Sequence, residues 1–317
     1  MTVASWLALF TALAWTTIVV AWCRRAARSA GPRGEAWRRF FRHPAATAGL
    51  AVLVFFGTMA ICAPLLAPFR PSQQLDIVGL QNRPPSWQHL LGTDLYSRDI
   101  WSRLAFGAQV SLGIGTLGMA VAVSLGGLVG AAAGYFRGWI DSVLMRLVDV
   151  GLSVPRIFIV LLAIALWDRL GTGSLILLLG LTGWFATSRM VRSEVLSLRE
   201  RPFADAARAA GARPWRIITR HIVPNAAAPL IISAALGIGH MMLLEAGLSF
   251  LGVGVAPPQP SWGNMIADGR DQIITAPWTS LFPGLAIALT VMALNAIGDA
   301  LRDALDPRSE ALVRAGD

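Results

Sequence analysis

The 317-residue chain has no lysine; all 27 of its basic residues are arginine. That absence removes a Walker A lysine, hence a phosphate-binding loop of its own, and any Schiff-base lysine. Charge of either sign is scarce. Only 14% of residues are charged, against about a quarter in a soluble globular protein, while 55% are hydrophobic and the mean hydropathy is +0.58. The deficit is concentrated in long uncharged runs, which makes the class a polytopic membrane protein. Cysteine is also rare. Cys23 and Cys62 both fall in apolar runs and read as small buried hydrophobes, not as a disulfide or a metal pair. His240, one of four histidines, has no HExxH pattern or carboxylate at ligand spacing, so it reads as a packed side chain and no metal site is expected. The net charge of +9 comes without a basic stripe interleaved with aromatics, which argues against nucleic acid as a partner.

The uncharged runs set the expected spans. Met1 to Cys23 is long enough to cross a bilayer at about 1.5 Å per residue. Its basic cluster (Arg24, Arg25, Arg28, Arg33, Arg38, Arg39, Arg42) follows the run, whereas a signal peptide carries its positive charge first. An uncleaved span with an outside N-terminus is the reading. Further spans are expected at about Pro44 to Ala67, Leu104 to Phe136, Ser142 to Trp167, Leu170 to Ser188, Ala226 to Ser249 and Pro277 to Gly298. This arrangement puts 19 arginines inside and six outside, including Arg169, as the positive-inside rule requires. Gly126, Gly130 and Gly134 line one face of the third span and point to close helix packing. No internal repeat stands out, which weighs against an inverted-repeat secondary transporter.

The segment FADAARAAGARPWRIITRHIVPN, from Phe203 to Asn225, falls on the cytoplasmic side of that arrangement. Pro202 suits a first helical position, the alanines favour helix, and Gly211 is a natural left-handed stop. Pro214 restarts a second short helix, which Pro224 is expected to end as the next span begins. Ala206, Ala207 and Ala210 give the first helix a small, smooth face. A helix resting on lipid would carry bulkier apolar residues, so a groove on another protein is the better fit.

Asp205-Ala206-Ala207-Arg208-Ala209-Ala210-Gly211, followed by Arg220-His221-Ile222-Val223-Pro224, resembles the EAA loop of ABC importer permeases, with Asp205 where glutamate is usual. HLLGTDLYSRDIWSRLAFGAQVSL (His89 to Leu112), EAGLSFLGVGVAPPQPSWGNMI (Glu245 to Ile266) and HPAATAGLAVLVFFGTMAICAPLLAPF (His43 to Phe69) resemble the C-type permease subunit of dipeptide/oligopeptide importers. The likeness covers about residues 40 to 307; the first span has no counterpart in the usual six-span pattern. The resemblance implies an all-α transmembrane bundle of the type I importer permease fold with cytoplasmic coupling helices. Phe203, Asp205, Ala206, Ala207, Gly211, Arg220, His221 and Pro224 would meet an ATPase subunit. The implied partners are a second permease subunit in a heterodimer, two cytoplasmic ATPases, an external substrate-binding protein and membrane lipid. No cofactor would be bound by the chain itself, ATP being used by the partners. The implied place is a bacterial inner membrane, with the C-terminus cytoplasmic and the N-terminus outside.

The chain divides by this reading into an extra N-terminal helix and basic linker (1–43), a first core span and outer loop (44–106), a permease core with coupling loop 201–224 (107–301), and a tail (302–317). Asp149 and Arg156, seven residues apart, return to nearly the same helix face and are candidates for a polar lining of the path. Asp149 pairing with Arg146 is the plainer alternative. Glu245 should reach the outer boundary and hold the outer loop by hydrogen bonds, with a substrate contact as the lesser alternative. Arg98, Asp99 and Arg103 form a charged outer helix just before the third span; solvated charges on an interfacial helix are the plain reading, and the resemblance points to contact with the external binding protein. A sparse lining suits short peptides selected by that protein, with a nickel chelate, glutathione or another small solute as the alternative. A hydrolase is disfavoured because Ser249 misses the G-x-S-x-G spacing. An ATP-independent channel or secondary transporter is the remote alternative and would carry solute alone.

Overall fold

A computed structural model describes residues 2–29, 35–167 and 171–305, and within these the regular structure is helical, with one isolated antiparallel bridge between Thr93 and Asp99. In chain order the helices are α1 (Thr2–Ser29), α2 (Glu35–Arg42), α3 (Pro44–Ile61), α4 (Ala63–Leu66), α5 (Ile100–Phe136), α6 (Gly138–Ser153) and α7 (Arg156–Leu166). They continue with α8 (Thr172–Leu198), α9 (Pro202–Ala209), α10 (Pro214–Ile217), α11 (Val223–Phe250), α12 (Trp262–Asp268) and α13 (Trp278–Leu305). Arg33, Gly31, Arg169, Leu170 and the tail from residue 306 lie outside the described residues.

Five helices among the described residues are long and apolar enough to cross a membrane: α3, α5, α8, Pro214–Phe250 and α13. The pair α6 and α7 makes a sixth, but bent by 83°. The expected fourth span is therefore broken, and Pro155 is the reason. Proline has no N–H to continue the helix and drives the residue before it out of the helical region. Val154 is accordingly extended at φ −102° and ψ 128°, and α7 starts afresh at Arg156. Another difference is the length of α8, which runs past Ser188 to Leu198 and carries Arg189 and Arg192 on the helix.

The chain forms two compact units: Met1–Gly115 with Ile238–Asp317, and Thr116–Gly237. Their boundaries fall inside α5 and α11. In the first unit Trp262 is fully buried among Phe56, Leu104, Met242 and Ile287, and its indole donates to the Leu104 carbonyl at 3.0 Å. In the second, α5 and α8 pack along the glycine row. A Cβ built on Gly126 would stand 2.8 Å from the Trp184 carbonyl, and on Gly134 2.9 Å from that of Arg192; on Gly130 it would collide with the Ser188 carbonyl.

A side chain at Gly130 must push the helices apart, whereas Gly127 has open space where its Cβ would be. Gly130→Val is expected to cost about 1–3 kcal/mol and to lower the melting temperature of the purified protein. Gly127→Val should leave it nearly unchanged. Equal losses in both variants would remove the glycine seam as a determinant of packing.

Candidate functional site: the α9–α10 segment and the loops around Glu245

The second unit holds the segment singled out from the sequence. Arg201 is extended and Pro202 occupies the first turn of α9, where a missing N–H costs nothing. Asp205 lies in that first turn and pairs with Arg208 at 3.2 Å. The helix closes on Gly211, whose φ of +76° lies in the left-handed region that side chains disfavour. The Ala212 N–H reaches back to the Ala207 carbonyl at 3.1 Å, capping the last turn. Arg213 is extended again, and Pro214 opens α10.

The exit from α10 differs from expectation. Pro224 does not end it; five π-helical residues, Ile218–Ile222, carry the chain straight into α11. Proline at 224 cannot donate to the carbonyl four residues back, and a wider turn just before it accommodates that loss. Asn225 donates to the His221 carbonyl at 2.5 Å at the same place.

Packing sorts the candidate residues. Ile217, Ile218 and Ile222 are buried with Val191, Val195 and Leu198 of α8 and Ala131 of α5, and Phe203 and Ala207 lean on that cluster. The expected alanine face is therefore split: Ala207 turns inward, while Asp205, Ala206 and Ala210 stay exposed. Gly211, Arg220 and Pro224 are exposed and His221 is half-buried. Trp215 of α10 is 65% exposed beside them. Arg199 braces the segment from α8 through the Tyr135 carbonyl, and Glu200 pairs with Arg137 at 2.7 Å.

Asp149 and Arg156 are not brought together. The bend at Pro155 separates them, and Asp149 pairs with Arg189 of α8 at 2.6 Å, not with Arg146. Arg156 donates to the Thr182 hydroxyl at 3.1 Å and to the Leu179 carbonyl. A second link between α6 and α8 is the two-pronged pair of Arg192 with Asp141, at 2.5 and 2.6 Å.

In the first unit the charged stretch after residue 93 is turned inward. Asp99 is 3% exposed, accepting from Ser102 at 2.7 Å and facing His89 at 3.0 Å. Arg103, 4% exposed, shares Asp94 and Asp268 with Arg98 at 2.7–3.3 Å. The expectation of an exposed charged surface thus fails for Asp99 and Arg103, because Ser102 and His89 satisfy Asp99 while Asp94 and Asp268 pair with Arg103; the Arg98 side chain keeps only a small exposed part. Burial pushes the Asp94 carboxyl above its ordinary range, and the Arg98 guanidinium and nearby backbone N–H groups pull it back. Glu245 is buried as well: its Oε1 accepts from Ser249 at 2.7 Å and from Ser261 at 2.8 Å, and Oε2 has no partner. Ser261 also caps α12, reciprocally with Asn264. Beside this clamp is a cavity of about 760 Å³ lined by Tyr96, Arg98, Ser249, Pro258, Asn264 and Asp268, among others.

Residues 126–310 match the family described as "binding-protein-dependent transport system inner membrane component", and residues 31–85 match "N-terminal TM domain of oligopeptide transport permease C". Among curated proteins, the dipeptide transport system permease protein of Alkalihalophilus pseudofirmus is 42% identical over 284 residues, covering 87% of this chain and 90% of that protein. The glutathione transport system permease protein of Pectobacterium atrosepticum is 40% identical over 280 residues, covering 87% and 91%. A chain of the methionine ABC transporter solved in inward-facing conformations aligns with a TM-score of 0.51 at 18% identity, over 63% of this chain and 95% of that one; this likeness is one of fold.

Removing Glu245 strands two buried hydroxyls at once. Glu245→Ala is expected to cost about 1–3 kcal/mol and to speed amide hydrogen exchange in residues 251–261. Glu245→Gln keeps an acceptor and should exchange much more slowly than the alanine variant. Unchanged exchange in Glu245→Ala would mean the clamp does not hold the loop.

Proposed function

The chain belongs to the binding-protein-dependent transport system inner membrane component family, and on that premise we propose that it is the C-type permease subunit of an ATP-driven importer of short peptides. As a member it is a multi-pass inner-membrane permease and not an enzyme; it binds no cofactor, and its ATPase and binding-protein partners belong to the same transport system. The proposed assembly pairs it with a second, different permease subunit and two ATPases. The permease core is proposed to run over residues 107–301.

The observation that carries this reading is the short exposed helix α9. It ends in a glycine elbow and rests on a cluster continuous with two membrane helices. Its outward residues, Asp205, Ala206 and Ala210, offer a surface without bulk that can seat in a groove of an ATPase subunit. The inward ones, Phe203 and Ala207, tie any push on that surface to Ile217, Ile218 and Val195. Gly211 sets the angle between α9 and α10, and Arg220, His221 and Pro224 lie on the helical stretch that follows it. The relatives named for dipeptide and glutathione transport support a peptide-sized solute, with glutathione itself as the second reading. Arg156 is proposed as a polar point on the path; Asp149 is proposed to sit at its mouth. Arg98, beside the cavity near Glu245, is proposed to face the binding protein, with Asp99, Arg103 and Glu245 shaping that surface from beneath.

In the reconstituted importer, with its ATPases and binding protein, a short peptide should co-purify with the binding protein and be identified by mass spectrometry. Gly211→Val forces a β-branched side chain into a left-handed backbone, at a cost of about 1–2 kcal/mol, and should abolish most uptake while ATP hydrolysis continues. Normal coupled uptake in that variant would count against the elbow. Recovery of a metal chelate without peptide would overturn the substrate while leaving the permease role standing.

We also propose that α1 crosses the membrane with its N-terminus outside. Single cysteines at Thr2 and Gly31, in a chain lacking Cys23 and Cys62, should react with an impermeant maleimide from opposite sides. Labelling of both from the cytoplasmic side would leave six spans.

A further inference from the structure

The first helix is left without work by the transport reading, and its surroundings are chemically specific. α1 packs against α3, and its C-terminal part meets α2, which in turn packs on α13. The seam is narrow: Ala12, Thr16, Val20 and Ala27 are buried, while Phe10, Trp15, Ile18 and Trp22 face outward. At one end Trp6 lies against Trp87, ring centres 5.2 Å apart. At the other, Trp22 is 68% exposed. Trp6 and Trp22 are sixteen positions apart, a rise of about 24 Å along a helix, which lies within the roughly 30 Å hydrocarbon layer of a bilayer. Tryptophan favours both boundaries of that layer.

Beyond Trp22 come Arg24 and Arg25, both exposed. The short helix α2 returns at the same end. Phe40 anchors it, buried against Ala46, Ala300 and Ala304, and Trp37 leans on Phe40 and Phe41 while remaining 55% exposed. Arg42 is exposed on the last turn. From Arg24 to Arg42 the sequence holds seven arginines and one acid, Glu35. Trp22 and Trp37 are thus exposed indoles on two helices that pack against each other, and the same two helices carry the exposed Arg24, Arg25 and Arg42; these two kinds of group match the two parts of an anionic phospholipid head. The indole suits the glycerol and ester region, and the planar guanidinium fork grips phosphate through paired hydrogen bonds.

We propose that the hairpin of α1 and α2 is a binding site for an anionic phospholipid, its phosphate held by Arg24, Arg25 and Arg42 and its glycerol region flanked by Trp22 and Trp37. The site is independent of which solute the importer carries. It gives the extra helix a role beyond orientation: lipid bound there couples the α2–α13 contact to the composition of the membrane.

The test uses the full-length purified protein in micelles, titrated with phosphatidylglycerol or phosphatidylcholine and read by native mass spectrometry. Wild type should retain phosphatidylglycerol preferentially, and millimolar inorganic phosphate should not displace it. The triple variant R24Q/R25Q/R42Q should lose retention by about tenfold or more. The triple variant R24K/R25K/R42K preserves the charge that orients the helix but not the guanidinium fork, so it should insert normally and retain several-fold less lipid than wild type. Equal retention of the two lipids, or displacement by phosphate alone, would overturn the proposal. So would wild-type retention in the glutamine variant or, if that variant fails to insert, in the lysine variant.

Discussion

Everything in the second unit depends on how closely α5 approaches α8. Gly126, Gly130 and Gly134 leave no side chain between the two helices, so the backbone of α8 fills the space a Cβ would take. At that separation Val191 and Val195 reach the wall that buries Ile217, Ile218 and Ile222. A wider pair would leave α10 without a floor, and α9 would hang from the chain by its elbow alone. The small residues of α5 are thus felt in a segment some seventy residues later in sequence, through contact geometry and not through any polar link.

Charge follows a different rule here. Three arginines at buried or membrane level find partners fixed by the fold: Arg192 with Asp141, Arg103 with Asp94 and Asp268, Arg156 with a threonine and a carbonyl. Placing an ion in an apolar surrounding is costly unless it is paired and hydrogen-bonded, so these pairings are conditions of the helices packing at all. Among the described residues the Oε2 of Glu245 has no partner, and it lies under the loop that borders a cavity of about 760 Å³.

The sequence was legible where local chemistry decides the outcome. The glycine row, the left-handed Gly211, the first-turn prolines of α9 and α10 and the extents of α5, α11 and α13 all follow from residues read a few positions at a time. Pro155 is a local signal as well, but in the span from Ser142 to Trp167 attention goes to the charges Arg146, Asp149 and Arg156, and the break falls at the proline instead. What could not be read are partnerships set by packing. Asp141 meets Arg192 across 51 residues, and Asp268 meets Arg98 across 170; no local pattern encodes either. The same blindness made Asp99 and Arg103 look like surface charges, since the acids and the histidine that satisfy them arrive from elsewhere in the loop or the chain. Ala207 faced the wrong way for a similar reason: an eight-residue alanine helix has little periodic contrast to say which side a neighbour will cover.

The π-helical residues between α10 and α11 have a mechanical meaning. From Pro214 to Phe250 the chain is one helix of 37 residues, roughly 55 Å long, with no extended residue anywhere along it. Between α10 and the first turns of α11 there is therefore no break in the backbone at which a displacement of α10 could be taken up. Motion of α10 would pass on to the first turns of α11, and the break in helix nearest to it is the glycine elbow at Gly211 on the other side. On the proposed function, α9 as the ATPase-facing helix and the first turns of α11 would relate as handle and crank, with Gly211 as the pivot and the π-helical turn letting Pro224 into the helix without a break.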